Sequence, residues 1–198
     1  MNVSVAPRLT RAAEGLQRRR FTVAEVEAMV EAGIMDEDER VELIGGELVP
    51  MSPKGSRHEV VKVALNYRWC RLCPETCRLA PETMFRLSED TYLEPDFVVF
   101  PSPLASGLAG LSQSNVLLVV EIAASSRRFD MGRKAKLYAS FGVRELWVID
   151  AVKMTARTFR APSERGYGET RDYRASERLV PQFAPAELAL RLDELELA

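Results

Sequence analysis

The chain has 198 residues, 46% of them apolar and 28% charged, the composition of one soluble globular domain or of one domain with an arm. Twenty-seven basic residues against 29 acidic ones leave a net charge of −2, which argues against a histone-like or polybasic protein while leaving room for a local basic patch. A single histidine, His58, excludes an internal metal site with two His ligands, and three cysteines, which cannot all pair internally, fit a reducing compartment.

Residues 1–20 carry five arginines against one glutamate and read as a basic N-terminal arm, either a frayed end or a contact to nucleic acid. They lack the apolar stretch of a secretory signal, and no run in the chain approaches the ~20 apolar residues that span a bilayer, so a cytoplasmic location with no membrane contact is expected. Residues 21–198 are expected to form a single domain. Thr22 with Glu25 makes a capping box, and Val23, Val26, Met29 and Val30 recur at helical spacing up to Gly33. Val41–Val49 reads as a hairpin turning at Gly45-Gly46. Ser56 caps a second helix whose apolar stripe is Val60, Val61, Ala64, Leu65, Trp69 and Leu72, stopped by Pro74. Strands are expected at Thr83–Leu87, Asp96–Phe100 and Val116–Ile122, the last apolar on both faces and therefore central. Residues 101–115 read as a loop, 127–141 as a helix, 145–150 as a strand, 153–160 and 168–174 as a late hairpin, and the tail from Pro185 as a short amphipathic helix. The order helix, strand, strand, strand, helix, strand gives an α/β fold: a mixed central β-sheet with flanking helices and an N-terminal hairpin extension.

Two carboxylates stand at the margins of apolar strands, Asp96 opening DFVVF and Glu121 near the end of VLLVVEIA. An ionised group there is costly unless paired. A hard divalent cation, Mg²⁺ or Mn²⁺, is one partner for two converging carboxylates; backbone N–H groups or an arginine are the other. Met131, Lys134, Ala135 and Tyr138 share one helix face that packs toward the sheet, whereas Lys136 is turned about 200° away toward solvent. Lys134 therefore needs a carboxylate, and Glu121 and Asp130 both qualify, the latter as an ordinary i,i+4 pair.

RVELIGGELVPMSP followed by His58, then EPDFVVF, then VVEIAASSRRFDMGRKAKLYASFGVRELWVID, in this order, resemble the Uma2 family within the PD-(D/E)XK, restriction-endonuclease-like nucleases. The resemblance covers residues 21 to about 195 and implies a restriction-endonuclease-like core. It matches Pro95-Asp96 to the PD dipeptide and Glu121-Ile122-Ala123 to the tripeptide, with alanine where the family pattern has lysine. Lys134 takes the place of a lysine supplied from the following helix. The catalytic set it implies is Asp96, Glu121 and Lys134, with Asp96 and Glu121 as metal ligands. Glu42 is the additional acid, with Glu59 as the competing choice, and His58 and Asp130 are in support. Tyr138 matches a family tyrosine that packs rather than reacts. The implied activity is Mg²⁺-dependent hydrolysis of phosphodiester bonds in DNA, with a homodimer plausible. The alternatives are a nuclease-fold module that holds DNA or a protein without cutting, and a structural protein whose acids form salt bridges.

Arg127 and Arg128 stand beside the proposed site and read either as phosphate contacts or as a solvated helix start. Cys70, Cys73 and Cys77 lack a second CxxC and read as small buried hydrophobes rather than metal ligands. Ser125-Ser126 has no nucleophile elbow around it and reads as a helix cap. His58 stays open between a place at the metal and an anchor for its helix.

Overall fold

A computed structural model of the chain describes residues 15–104, 107–124 and 130–197, with the side chains of Ala109, Asp130 and Met131 outside that description. Two compact units divide it: residues up to Ser52 with Arg86–Leu93, and Pro53–Phe85 with Glu94 onward.

In the first unit, α1 (Val23–Glu31) begins at Thr22, whose hydroxyl accepts from the Glu25 N–H while the Glu25 carboxylate accepts from the Thr22 N–H. β1 (Val41–Ile44) and β2 (Glu47–Pro50) form the expected hairpin. Its turn places Gly45 and Gly46 at φ 58° and 82°, the double left-handed conformation of a tight hairpin turn. β5 (Thr91–Leu93) and β4 (Phe85–Ser88) extend this sheet in the order β2-β1-β5-β4. Val23, Val26, Leu43 and Tyr92 form its core. Residues 1–14 of the basic arm lie outside the described residues. Its last three arginines are tied down: Arg18 to Glu47, Arg19 to Glu25 and Arg20 to Asp90.

The second unit is built on a six-stranded sheet ordered β10-β9-β8-β7-β6-β3. Its strands are β3 (Cys77–Pro81), β6 (Phe97–Pro101), β7 (Leu118–Ala123), β8 (Glu145–Asp150), β9 (Thr155–Ser163) and β10 (Gly166–Tyr173). All neighbours pair antiparallel except β7 and β8, which run parallel. All six residues of β7 are buried, as its two-faced apolar run requires of a central strand. α2 (Ser56–Leu72) lays Val61, Leu65 and Trp69 against Phe97, Val120, Ile122 and Trp147. The alternate residues of β7 face the other side, toward α3 (Ala135–Ser140), which continues a π-helical turn at Asp130–Lys134.

Several expectations are corrected. Gly55, not Ser56, is the N-cap of α2, and its stripe is narrower because Leu72 is exposed. The tail beyond Pro185 forms two short 3-10 turns, Ala186–Leu188 and Leu192–Glu194, with a bridge pairing Leu190 to Leu179. Its apolar residues fill the core below α2, where Trp69 Nε1 donates to the Leu188 carbonyl, so packing rather than a helical stripe organises it. β3 and β5 are additional strands. The cysteines are not uniformly buried: Cys70 is exposed, Cys73 half-buried and Cys77 buried at the start of β3, with the Cys73 and Cys77 sulfurs 2.9 Å apart. Burial and the neighbouring Cys73 push the Cys77 thiol up to about 12. No helix among the described residues is long and apolar enough to cross a membrane.

Candidate active site

The β6–β7 register pairs Phe97 with Val120, which leaves Asp96 just before the start of β6 and Glu121 one residue further along β7. The Asp96 carboxylate accepts the N–H of Ile122, one residue beyond Glu121, at 2.7 Å. Both acids are nearly inaccessible, at 3% and 4% exposure.

Each is paired on its own side. Lys134, 5% exposed at the end of the π-helical turn, donates to Glu121 Oε1 at 3.1 Å. Tyr138, one turn on, donates its hydroxyl to the same oxygen at 2.8 Å and stacks on Phe85. It therefore packs and also orients the carboxylate. Lys136 is exposed, as its helical phase requires. Ala123 is buried in β7, and its carbonyl accepts the Ala151 N–H. A lysine-free tripeptide thus coexists with a buried ammonium on its acid, delivered by the following helix.

Asp96 Oδ1 accepts from Lys54 Nζ at 3.0 Å and faces His58 Nε2 at 3.0 Å. Burial pushes the Asp96 carboxyl up, but the His58 hydrogen bond, the charges of His58 and Lys54 and the Ile122 N–H outweigh it and hold it below the usual aspartate range. His58 is buried on the first turn of α2, and its Nδ1 lies 3.1 Å from Glu59 Oε1. Both ring nitrogens therefore face carboxylate oxygens. From Glu59 the pattern continues to Lys62 at 2.7 Å, from Lys62 to Glu82 at 3.0 Å, and from Glu82 back to Lys54. Asp96, His58, Glu59, Lys62, Glu82 and Lys54 thus close a ring of alternating basic and acidic groups. Hydrogen bonding from Lys62 lowers the Glu59 carboxyl; burial raises that of Glu82, but bonds from Lys54 and Lys62 bring it down on balance. Glu82 holds a left-handed φ of 45°, rare for a residue with a Cβ and a sign that its surroundings over-determine it.

Of the residues the sequence nominates, Asp96 meets His58, and Glu121 meets Lys134 and Tyr138, on the second unit; the bond of Asp96 to the Ile122 N–H links the two groups. Glu59 touches His58 from the rim. Glu42 is buried on β1 of the first unit, opposite Val49. Arg127, Arg128, Ser125, Ser126 and the Asp130 side chain lie outside the described residues. Lys54, Lys62 and Glu82 were not nominated. Lys54 sits in the irregular segment before α2, and Lys62 and Glu82 stand on positions that carry no apolar periodicity; the one available signal is Lys62 three residues after Glu59 on a helix.

The donor set suits a hard cation: two buried carboxylates, linked through the bond of Asp96 to the Ile122 N–H, offer oxygen ligands, the kind with which Mg²⁺ keeps waters and completes its shell on a phosphate. Among the described residues no group of three or more His, Cys, Asp or Glu forms a ready-made metal cage.

The family model for Uma2, described as "Putative restriction endonuclease", matches residues 23–193. The chain belongs to the Uma2 family. This Uma2 chain is also similar in fold to a solved structure from Anabaena variabilis, described as "a putative nuclease belonging to DUF820", at a TM-score of 0.65 and 18% identity. That match covers 88% of this chain and 96% of the other. A search of curated proteins finds no match. The restriction-endonuclease-like α/β architecture expected for Uma2 is therefore the architecture observed.

Proposed function

We propose that this Uma2 protein is a divalent-metal-dependent endonuclease that hydrolyses phosphodiester bonds in DNA. The observation that carries the reading is the buried contact of Lys134 with Glu121, whose neighbour Ile122 donates its N–H to Asp96. Carboxylates that can hold a divalent cation, with an ammonium at one of them, are a residue set able to support phosphodiester hydrolysis. Asp96 and Glu121 would hold Mg²⁺ or Mn²⁺, which when bound supplies charge stabilisation at the scissile phosphate and an acidified attacking water.

The remaining work falls to the chain. Tyr138 fixes the Glu121 carboxylate through one oxygen, and Lys134 neutralises it through the same oxygen. Lys134 stands 3.1 Å from the Glu121 carboxylate. Its role is to position water and to offset phosphate charge rather than to act as a strict general base. His58 steadies Asp96 from the start of α2, and Arg127 and Arg128 are assigned to the DNA backbone. A homodimer would bring two such sites to one duplex.

The test is nicking of supercoiled plasmid by the purified chain with Mg²⁺ or Mn²⁺. Cleavage is expected, with loss in EDTA and in Glu121→Ala. Cleavage that survives Glu121→Ala sinks the assignment. A second reading, a nuclease-fold module that binds DNA or protein without cutting, is favoured by one observation: Asp96 and Glu121 already have lysine partners. DNA binding unchanged in Glu121→Ala, with no cleavage by either protein, would select it.

A further inference from the structure

We propose that Lys54 is the resident counterion of the metal site: its ammonium competes with the divalent cation for Asp96 and so sets the affinity with which metal enters. The inference rests on the metal-dependent reading above. Lys54 Nζ lies 3.0 Å from Asp96 Oδ1, and its side chain is only 12% exposed. An ammonium held this close to a ligand carboxylate repels an arriving dication and occupies one of its acceptor oxygens.

Three features single out Lys54 among the basic groups around the two acids. It has a second acid, Glu82, so it leaves Asp96 without losing every partner. His58, by contrast, is rooted in α2 between Asp96 and Glu59. Lys54 also reaches in from the segment between β2 and α2 rather than from a helix or strand, so its flexible stem can move without disturbing the sheet. Finally, Glu82 keeps its left-handed backbone while holding both Lys54 and Lys62, which marks this second anchor as a fixed part of the site. Lys134 differs again, because its partner Glu121 is also held by Tyr138.

The test is Mn²⁺ binding to the full chain, read by the paramagnetic resonance signal of the free ion, with Asp96→Asn as background. Lys54→Met is expected to bind Mn²⁺ about tenfold tighter or more, and Lys54→Arg, which keeps the charge, to stay within about threefold of the parent. Unchanged or weaker binding by Lys54→Met overturns the inference, as does equal tightening by Lys54→Arg. If neither parent nor Lys54→Met binds above background, the metal-dependent reading itself falls, and this inference with it. A measurement on the unaltered chain covers failure of Lys54→Met to fold. Acetylation of Lys54, followed by mass spectrometry against exposed Lys136, is expected to accelerate at saturating Mg²⁺, and a rate indifferent to Mg²⁺ overturns the proposal.

Discussion

The Glu121–Lys134 pair shows what a buried charge demands of its neighbours. Both members are almost sealed from water, so removing one takes a charge partner from the other inside the fold. Lys134→Met is expected to destabilise the chain by about 3 kcal/mol, and Tyr138→Phe by about 1–2 kcal/mol, in urea denaturation. The acids of the ring make a separate prediction about pH. Asp96, Glu59 and Glu82 all have carboxyls lowered in the folded chain, so the unfolded chain binds protons more readily. Their stabilisation is complete above the unfolded carboxyl values of roughly 4 and is lost as pH falls through the lower folded values. The urea midpoint should therefore drop as pH is taken from about 5 toward 2, and Asp96→Asn should flatten part of that drop. An equally steep drop in Asp96→Asn would show that Asp96 is not a proton-linked group. At this scale the sequence was informative where burial and period coincide. Lys134 lies on an apolar face, which is anomalous enough to flag. Lys54 and Glu82 meet only through the tertiary fold, in an irregular segment and just past a strand end, where neither period applies.

Elements were legible to the degree that their own residues dictate them. The Thr22–Glu25 box, the Gly-Gly hairpin turn and the two-faced run of β7 each need nothing from elsewhere in the chain. β3 is different: its sequence CRLAP has weak strand preference, and it is a strand because β6 offers it an edge along five residue pairs. The tail likewise has helix-like apolar spacing but is drawn into 3-10 turns by the core it fills. Two substitutions test these assignments. A Cβ at position 46 would stand 2.5 Å from Arg20 Cβ on a backbone at φ 82°, so Gly46→Ala should cost more than about 1 kcal/mol in thermal denaturation. Trp69→Ala should cost about 3–5 kcal/mol, since it removes a ring packed on Phe97 and Trp147 together with its bond to the tail.

Across the whole molecule, charge is balanced close to where it arises. The net charge is −2, and Lys54, Lys62 and Lys134 are each spent on an acid of the same unit. DNA binding is therefore expected to be modest, with a slope of log affinity against log salt no steeper than about −3 in fluorescence anisotropy; a slope near −8 would reveal a basic surface on a scale the described residues do not present. The parallel pairing of β7 with β8 in the six-stranded sheet has a further consequence. Parallel neighbours cannot be joined by a tight turn, so the chain must leave β7, climb through the π-helical turn and α3, and return as β8. Glu121 stands on the outbound strand and Lys134 on the return path, which makes their meeting a by-product of closing the crossover. Native-state hydrogen exchange should consequently report the amides of β7 and those around Lys134 opening as one cooperative unit: the chemistry is assembled by the same event that completes the middle of the sheet.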